Sequence, residues 1–390
     1  MNSVELFTGA GGLALGTHIA GFRHRGLVEW DDDACETLRR NVKARALPDI
    51  HDWKVHQADV RMLKFDIFGN KGGVDLVAGG APCQPFSLGG KHQAQEDARN
   101  MIPDFVRAVR ELQPRAFIME NVKGLMRESF RNYFEYIRLQ LINPDLVIKK
   151  DETWREHHYR LEKLETKGNK SLKYNVVVEL LNAADYGIPQ TRQRVFFVGF
   201  REDTELAWHF PKPTHSRAAL MHAQWVTSTY WEKHRMPRPK EVPAYAVRWT
   251  KGKAEPLPPG IAWKTIRDAF DGLPDPRDER KAASIPNHRF IPGARSYYGH
   301  TGSPYDLPAK TLKAGVHGVP GGENMLALPD GSVRYFTVRE AARLQTFPDT
   351  WHFEGSWGET MRQLGNAVPV ELAAVVARSV LEELRGQGSH

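Results

Sequence analysis

The chain has 390 residues, 41% of them hydrophobic and 26% charged, with two cysteines and a formal net charge of +7. That length suits a well-buried core and about two domains, and no stretch is read as approaching the roughly eighteen apolar residues of a membrane helix. Cys35 and Cys83 are too few for a disulfide framework or a thiolate metal site, and Met1–Glu5 runs into an apolar strand without a secretory signal, so no metal, no membrane and a reducing cytoplasm are expected. The surplus of positive charge points to a polyanionic partner.

In chain order, the first 200 residues alternate short apolar runs with helical patterns, which predicts a parallel sheet covered by helices. Strands are predicted at Ser3–Phe7, Gly26–Glu29, Val55–Ala58, Val74–Gly79, Ala116–Glu120, Tyr174–Leu181 and Val195–Phe200. Helices are predicted at Gly12–Ala20, Asp33–Asn41, Met101–Leu112 and Tyr133–Leu139. The highly charged stretch between Asp151 and Lys173 predicts an exposed helix, to which no function is assigned. After Phe200 the periodicity dissolves. Arg201–Lys310 carries 18 Lys and Arg against 12 Asp and Glu, nearly all of the chain's excess, and 14 of its 25 prolines. It also holds Trp208, Trp225, Trp231 and Trp249 ahead of Trp263, more aromatics than a solvated linker would carry. A small, irregular, basic domain is expected there. Helical signals return at Thr337, with Glu340 at capping-box spacing. The last helix, Val370–Leu384, is apolar enough to dock on a core, so the chain is expected to return to its first domain.

Four motifs carry chemistry. Gly9-x-Gly11-x-x-Ala14 follows the first strand and opens the first helix, with Glu29 twenty residues beyond Gly9. The Gly11-Gly12 pair permits a tight turn and close approach to a ligand. Glu29 at a strand end can accept from ribose hydroxyls, and Trp30 can stack on a purine. This much indicates a cofactor containing adenosine, NAD or S-adenosylmethionine. Asp59 can accept from an adenine amino group, although a lone Asp after a strand is more often a helix cap. Second, Gly79-Gly80-Ala81-Pro82-Cys83-Gln84-Pro85-Phe86-Ser87 ends a strand at the carboxyl edge, where open α/β sheets place their sites. Glycines and prolines around one thiol expose and orient it, as a nucleophile requires. The polar run Leu88–Asn100 has the composition of a closing lid. Third, Glu120 ends the next strand at the same edge. Fourth, Arg192 and Arg194 in Gln190-Thr-Arg-Gln-Arg194 are spaced i, i+2, which aims both at one face of an extended segment.

Taken in order, Phe7–Gly16, Glu29-Trp30, Asp59, Pro82–Ser87, Asp97–Asn100, Glu120-Asn121-Val122, Gln190–Arg194, Arg343–Asp349 and Gln363–Pro369 resemble the ordered motifs of DNA (cytosine-5) methyltransferases of the restriction-modification type. The likeness spans residues 5 to 370 and leaves a gap only where the family's target recognition region varies; Thr8 stands where the family often has Ala. The resemblance implies an α/β fold: a Rossmann-like S-adenosylmethionine-dependent methyltransferase domain with a smaller, irregular target recognition domain. It implies a catalytic and cofactor-binding domain over 1–203, target recognition over 204–335, a hinge over 336–359 and a C-terminal helix returning over 360–390. Cys83 would add to C6 of a flipped cytosine, Glu120 would engage N3, and Arg194, with Arg192 beside it, would hold O2 and favour the thiolate. S-adenosylmethionine would lie against Phe7, Gly9, Gly11, Gly12, Leu13, Glu29, Trp30, Asp59, Val60, Pro82, Asn366 and Ala367. Gln84, Ser87 and Arg99 would contact DNA, and base-reading side chains are expected near Tyr297–Lys313. The implied partners are double-stranded DNA and a cognate restriction endonuclease sharing the target site, in a bacterial or archaeal cytoplasm. Cys35 matches no motif and is expected to pack in its helix. Rival readings are the tRNA-methylating branch of the same family, against which the long basic insert argues, a DNA-binding regulator that has lost catalysis, and an NAD oxidoreductase.

Overall fold

The computed structural model describes residues 1–82, 100–167, 171–250, 258–298, 300–314 and 324–386. Its elements begin β1 (Asn2–Leu6), α1 (Gly12–Ala20), β2 (Arg23–Glu29), α2 (Asp32–Ala44), β3 (Val55–Gln57), β4 (Leu76–Gly79), α3 (Ile102–Leu112), β5 (Ala116–Val122), α4 (Arg131–Ile142), α5 (Trp154–Lys167), β6 (Tyr174–Asn182), β7 (Gln190–Thr191) and β8 (Gln193–Arg201). Seven strands form one sheet in the order β3-β2-β1-β4-β5-β8-β6. β1 to β5 pair in parallel, and β1, β4 and β5 are buried along almost their whole length, as continuous apolar runs in a parallel sheet must be. The strand order reverses at β1 and β4, so a topological switch point opens at their carboxyl ends.

The expectation of an all-parallel sheet needs correction, because β8 runs antiparallel to β5. The connection 183–192, which joins β6 to β8, holds no α-helix and is too short for a crossover, so β8 turns back from β6 and enters between β6 and β5. The helix in the charged stretch, α5, is also less exposed than expected. Trp154 lies edge-on to Tyr133 at 5.8 Å, Leu161 is fully buried, and buried His157 meets the Tyr136 hydroxyl at 2.9 Å.

The chain divides into two compact units: Met1–Leu181, Gln193–Pro211 and Thr350–His390 in one, Asn182–Arg192 and Lys212–Asp349 in the other. These bounds differ from the predicted 1–203, 204–335, 336–359 and 360–390. Residues 182–192 leave the first unit, where Ala309–Lys310 of the second captures β7 as a parallel partner. Residues 204–211 stay in the first, where Trp208 donates from Nε1 to Ser379 Oγ at 2.6 Å. The predicted hinge is itself split between Asp349 and Thr350.

In the first unit, helix Trp357–Asn366 leads into helix Val370–Gly386, which closes over α1. A Cβ on Gly12 would sit 2.2 Å from Val368 O, and one on Gly16 would sit 2.3 Å from Ala373 Cβ. Contrary to the reading that no stretch is apolar enough, one window within 357–386 has the length and composition of a membrane span; 72% of it is buried inside the fold, so core packing accounts for its apolarity. In the second unit, Leu220, Met221, Trp225, Tyr230 and Trp231 make a small core, which gives the tryptophans of the basic segment their physical reason. Thr337 and Glu340 form the predicted capping box around helix Val338–Leu344.

Candidate active site

At the carboxyl end of β1 the chain enters the left-handed region at Phe7 (φ 56°) and Gly9 (φ 55°) before α1 begins. Phe7 bears the strain of that conformation as a non-glycine. A Cβ on Gly9 would meet nothing within 4 Å, so the loop faces open space there. Gly11 and Gly12 differ: their missing side chains make room for Trp351 and Val368 of the same unit, while Leu13 is buried. Glu29, at the end of β2, clasps this loop. Its Oε2 accepts from Gly9 N at 2.7 Å, and its Oε1 accepts from Trp30 N and Asp31 N at 2.9 and 3.0 Å. A carboxylate has about four acceptor positions, so one remains on Oε2. The Trp30 side chain stands out, 71% exposed. Asp59 caps the short helix Val60–Met62, with Val60 buried, and Arg61 grips its carboxylate side-on. Pro82 and Asn366 are exposed and Ala367 half-buried. An open loop, a carboxylate at the second strand end, an exposed indole and a further carboxylate fit an adenosine moiety lying across the switch point.

The second cluster lies at the ends of β4 and β5. Glu120 and Arg194 are diagonal neighbours on one face of the β5–β8 ladder, since Arg194 pairs with Val122 and Glu120 with Phe196. Arg194 Nε lies 2.8 Å from Glu120 Oε1, and both side chains are nearly buried. Burial pulls the Arg194 guanidinium below its usual range, and the Glu120 carboxylate opposes that pull. A Cβ on Gly80 would stand 3.1 Å from Glu120 Oε2, so only glycine leaves that oxygen clear. Next to it, Asn121 Nδ2 donates to Ala81 O at 3.0 Å, and its Oδ1 accepts from Val122 N at 2.8 Å. Pro82 O accepts from Met101 N at 3.1 Å, and Asn100 donates from Nδ2 to the Tyr133 hydroxyl at 2.5 Å. The backbone on either side of 83–99 is thereby tied down. Cys83, Gln84, Ser87 and Arg99 lie outside the described residues. The positioning parts of Asn121 and Asn100 were not anticipated; a buried amide beside a strand end was the available signal.

The two arginines of the fourth motif do not share one extended segment, which corrects the i, i+2 reading. The chain turns between β7 and β8, with Arg192 N donating to Gln190 O at 3.1 Å. Arg192 is fully buried in the second unit, where its Nη1 donates to Leu312 O at 2.9 Å. Gln190 is fully buried there too, accepting from Leu312 N at 2.9 Å and donating to Gln345 Oε1 at 3.0 Å. Cys35 packs in α2, fully buried, and burial pushes its thiol up to about 12.

The family model described as C-5 cytosine-specific DNA methylase matches residues 1–382. The chain is 32% identical to Type II methyltransferase M.PspPI of Psychrobacter sp. (strain TA137), over 98% of this chain and 79% of that protein. It is 31% identical to Type II methyltransferase M.Eco47II of Escherichia coli, again over 98% and 79%. A crystal structure of a methyltransferase encoded within an E. coli prophage shares the fold, with a TM-score of 0.59 and 22% identity over 99% of each chain. The chain belongs to the C-5 cytosine-specific DNA methylase family and is a DNA cytosine-5 methyltransferase.

Proposed function

We propose that Cys83 is the covalent nucleophile, that S-adenosylmethionine is the methyl donor, and that the substrate is a cytosine flipped out of a specific site in double-stranded DNA. One observation carries the reading. The buried Glu120–Arg194 pair stands against Gly80, three residues ahead of the thiol, while Asn121 fastens Ala81 to the same strand end. Cys35 is held as a buried, un-ionised thiol, which leaves Cys83 as the candidate nucleophile of the chain's two cysteines.

Cytosine C5 is too weak a nucleophile to take a methyl group directly. Addition of the Cys83 thiolate to C6 forms an S–C bond and turns the ring into an enamine. Glu120 at N3 favours that addition, and Arg194 holds both Glu120 and the O2 carbonyl. S-adenosylmethionine, when bound, supplies an electrophilic methyl on a sulfonium. Loss of the C5 proton to solvent and cleavage of the S–C6 bond then restore the ring and the thiolate. Glu29 would face the ribose, Asp59 the adenine amino group and Trp30 the purine face, with Phe7, Gly9, Leu13, Val60, Pro82, Asn366 and Ala367 around them. Gly11 and Gly12 would contribute backbone.

Extruding the base costs a few kcal/mol, offset by pocket and groove contacts. The second unit, with its basic sequence, would bind and read duplex DNA, and Gln84, Ser87 and Arg99 would touch it near the extruded base. Its affinity would fall steeply with salt. The likeness to Type II methyltransferases supports, by analogy, a bacterial restriction-modification role beside a cognate endonuclease that shares the target site. Bisulfite sequencing of DNA from expressing cells gives the target. A duplex carrying 5-fluorocytosine at that position should then form a stable protein–DNA adduct with wild type and none with Cys83→Ala. An adduct in the Cys83→Ala protein, or methyl transfer to tRNA and not to duplex DNA, would overturn the reading.

A further inference from the structure

Arg61 is a side chain that the cofactor reading leaves without a role. The Asp59 Oδ1 accepts from Arg61 N at 2.9 Å and from Arg61 Nε at 2.9 Å. Its Oδ2 accepts from Nε at 3.0 Å and from Nη2 at 2.5 Å. The guanidinium therefore lies along the inner edge of the carboxylate, and the backbone N–H takes an outer position on Oδ1. Of about four acceptor positions, only the outer one on Oδ2 stays open. Asp59 is thus fixed twice, as the cap of helix Val60–Met62 and as the partner of a fork that matches its geometry. The helix itself is anchored from α3, where Arg107 Nη2 donates to Val60 O at 2.6 Å.

We propose that Arg61 is a positioning residue that sets recognition of a purine 6-amino group by presenting the single open acceptor of Asp59. This deepens the adenosine reading of the site and rests on it. An amino group can donate to that position; a 6-oxo group in its place faces a carboxylate with nothing to donate. Hydrogen bonds from Arg61 are the main reason the Asp59 carboxyl stays below its usual range, so it remains ionised to a lower pH than a carboxylate without that partner. Among the described residues, the other charges near the pair are Asp104 and its partner Arg107, both on α3.

Calorimetric titration of the full-length protein with S-adenosylhomocysteine and with its 6-oxo analogue S-inosylhomocysteine tests this without any turnover. Loss of a hydrogen bond to a charged acceptor corresponds to about 10- to 100-fold, so Asp59→Ala should reduce the amino/oxo affinity ratio by at least ~10-fold. Arg61→Ala should reduce it by about 2- to 5-fold, the range of a half-exposed ion pair. Arg61→Lys, with the charge but not the fork, should fall between Arg61→Ala and wild type. On acidification the ratio should begin to fall at a higher pH in Arg61→Ala than in wild type. A merely structural role would weaken both ligands by one factor. That result, or an unchanged ratio in Arg61→Ala while Asp59→Ala lowers it, overturns the role of Arg61 alone. An unchanged ratio in Asp59→Ala overturns the adenosine reading of Asp59 along with it.

Discussion

Replacing Gly16 by alanine separates helix propensity from packing, because the two predict opposite signs. In an isolated helix Ala is favoured over Gly by about 1 kcal/mol. Gly16 sits within α1, and its added Cβ would stand 2.3 Å from Ala373 Cβ and 2.7 Å from both Ala374 N and Val370 O. Two of these three atoms are backbone, so no rotamer change relieves them; the helix Val370–Gly386 must move away. Overpacking of this kind costs about 1–3 kcal/mol, occasionally more, and here it outweighs the propensity gain. Gly12, one turn earlier, has Val368 O at 2.2 Å from its added Cβ and should behave alike. The control is Gly358, exposed near the start of its helix with nothing within 4 Å, where alanine should stabilise by up to about 1 kcal/mol. Thermal unfolding reads these differences at roughly 2–4 °C per kcal/mol for a unit of this size. Gly16→Ala and Gly12→Ala should melt below wild type, and Gly358→Ala at or above it. Since Gly12 opens α1 directly after the loop proposed to hold the cofactor, Gly12→Ala should also weaken S-adenosylhomocysteine binding. A Gly16→Ala protein melting as high as Gly358→Ala would refute the close α1 packing.

Other outcomes follow from the buried polar groups. Glu5 is fully buried, and burial raises its pKa well above the usual value; the unfolded chain therefore gains by ionising as pH rises past about 4.5, and Glu5→Gln should raise stability at neutral pH by roughly 1 kcal/mol or more, measured by urea unfolding. His24, held between Ser3 Oγ and Ala14 O, is lowered to about 4 by burial; its stabilising effect is complete above about pH 6.5 and is lost progressively down to about 4, so acid unfolding curves of His24→Gln should be flatter in that window. Iodoacetamide at neutral pH should alkylate Cys83 and spare Cys35, whose thiol stands at about 12; peptide mass spectrometry showing modified Cys35 in folded protein would contradict its burial. Asn121→Ala removes a buried donor to Ala81 O, and kcat should fall about 10-fold or more while S-adenosylhomocysteine affinity stays unchanged.

Legibility in the sequence followed the range of the interactions. β4 and β5 were readable because both faces are covered, leaving uninterrupted apolar runs that end at Gly79-Gly80 and Glu120-Asn121. The Thr337 cap was readable because both its bonds close within three residues. Gln190 and Arg192 were not: their partners, Leu312 and Gln345, lie more than a hundred residues away, and nothing local distinguishes a buried guanidinium from a solvated one. The same holds for α5, whose charged text hides a buried Leu161, a buried His157 that meets the Tyr136 hydroxyl, and Trp154 packed against Tyr136. Asp59 is the cap that its place after a strand suggests, its side chain accepting from Arg61 N, and one acceptor position remains for the role proposed above.

The direction of β8 decides whether the candidate site exists at all. Glu120 stands near the carboxyl end of β5, while Arg194 stands near the start of β8. In a sheet that stayed parallel, the start of β8 would lie at the opposite edge from the end of β5. Seven residues at about 3.3 Å each would then put roughly 20 Å between the guanidinium and the carboxylate. Antiparallel entry brings the two ends together in register, with Val122 opposite Arg194, and the separation becomes 2.8 Å. A short connection between β6 and β8 is what imposes that reversal, and its last residues, Gln190 to Arg192, are held by the second unit. The residues that fasten β7 to Ala309–Lys310, Gln190 and Thr191, thus sit four and three positions ahead of the arginine that braces Glu120. Substitutions at Gln190 should accordingly affect catalysis through the placement of Arg194, raising the fraction of protein inactive toward 5-fluorocytosine DNA before any loss of cofactor binding is seen; equal loss of both would mean that the strand acts only as a general support.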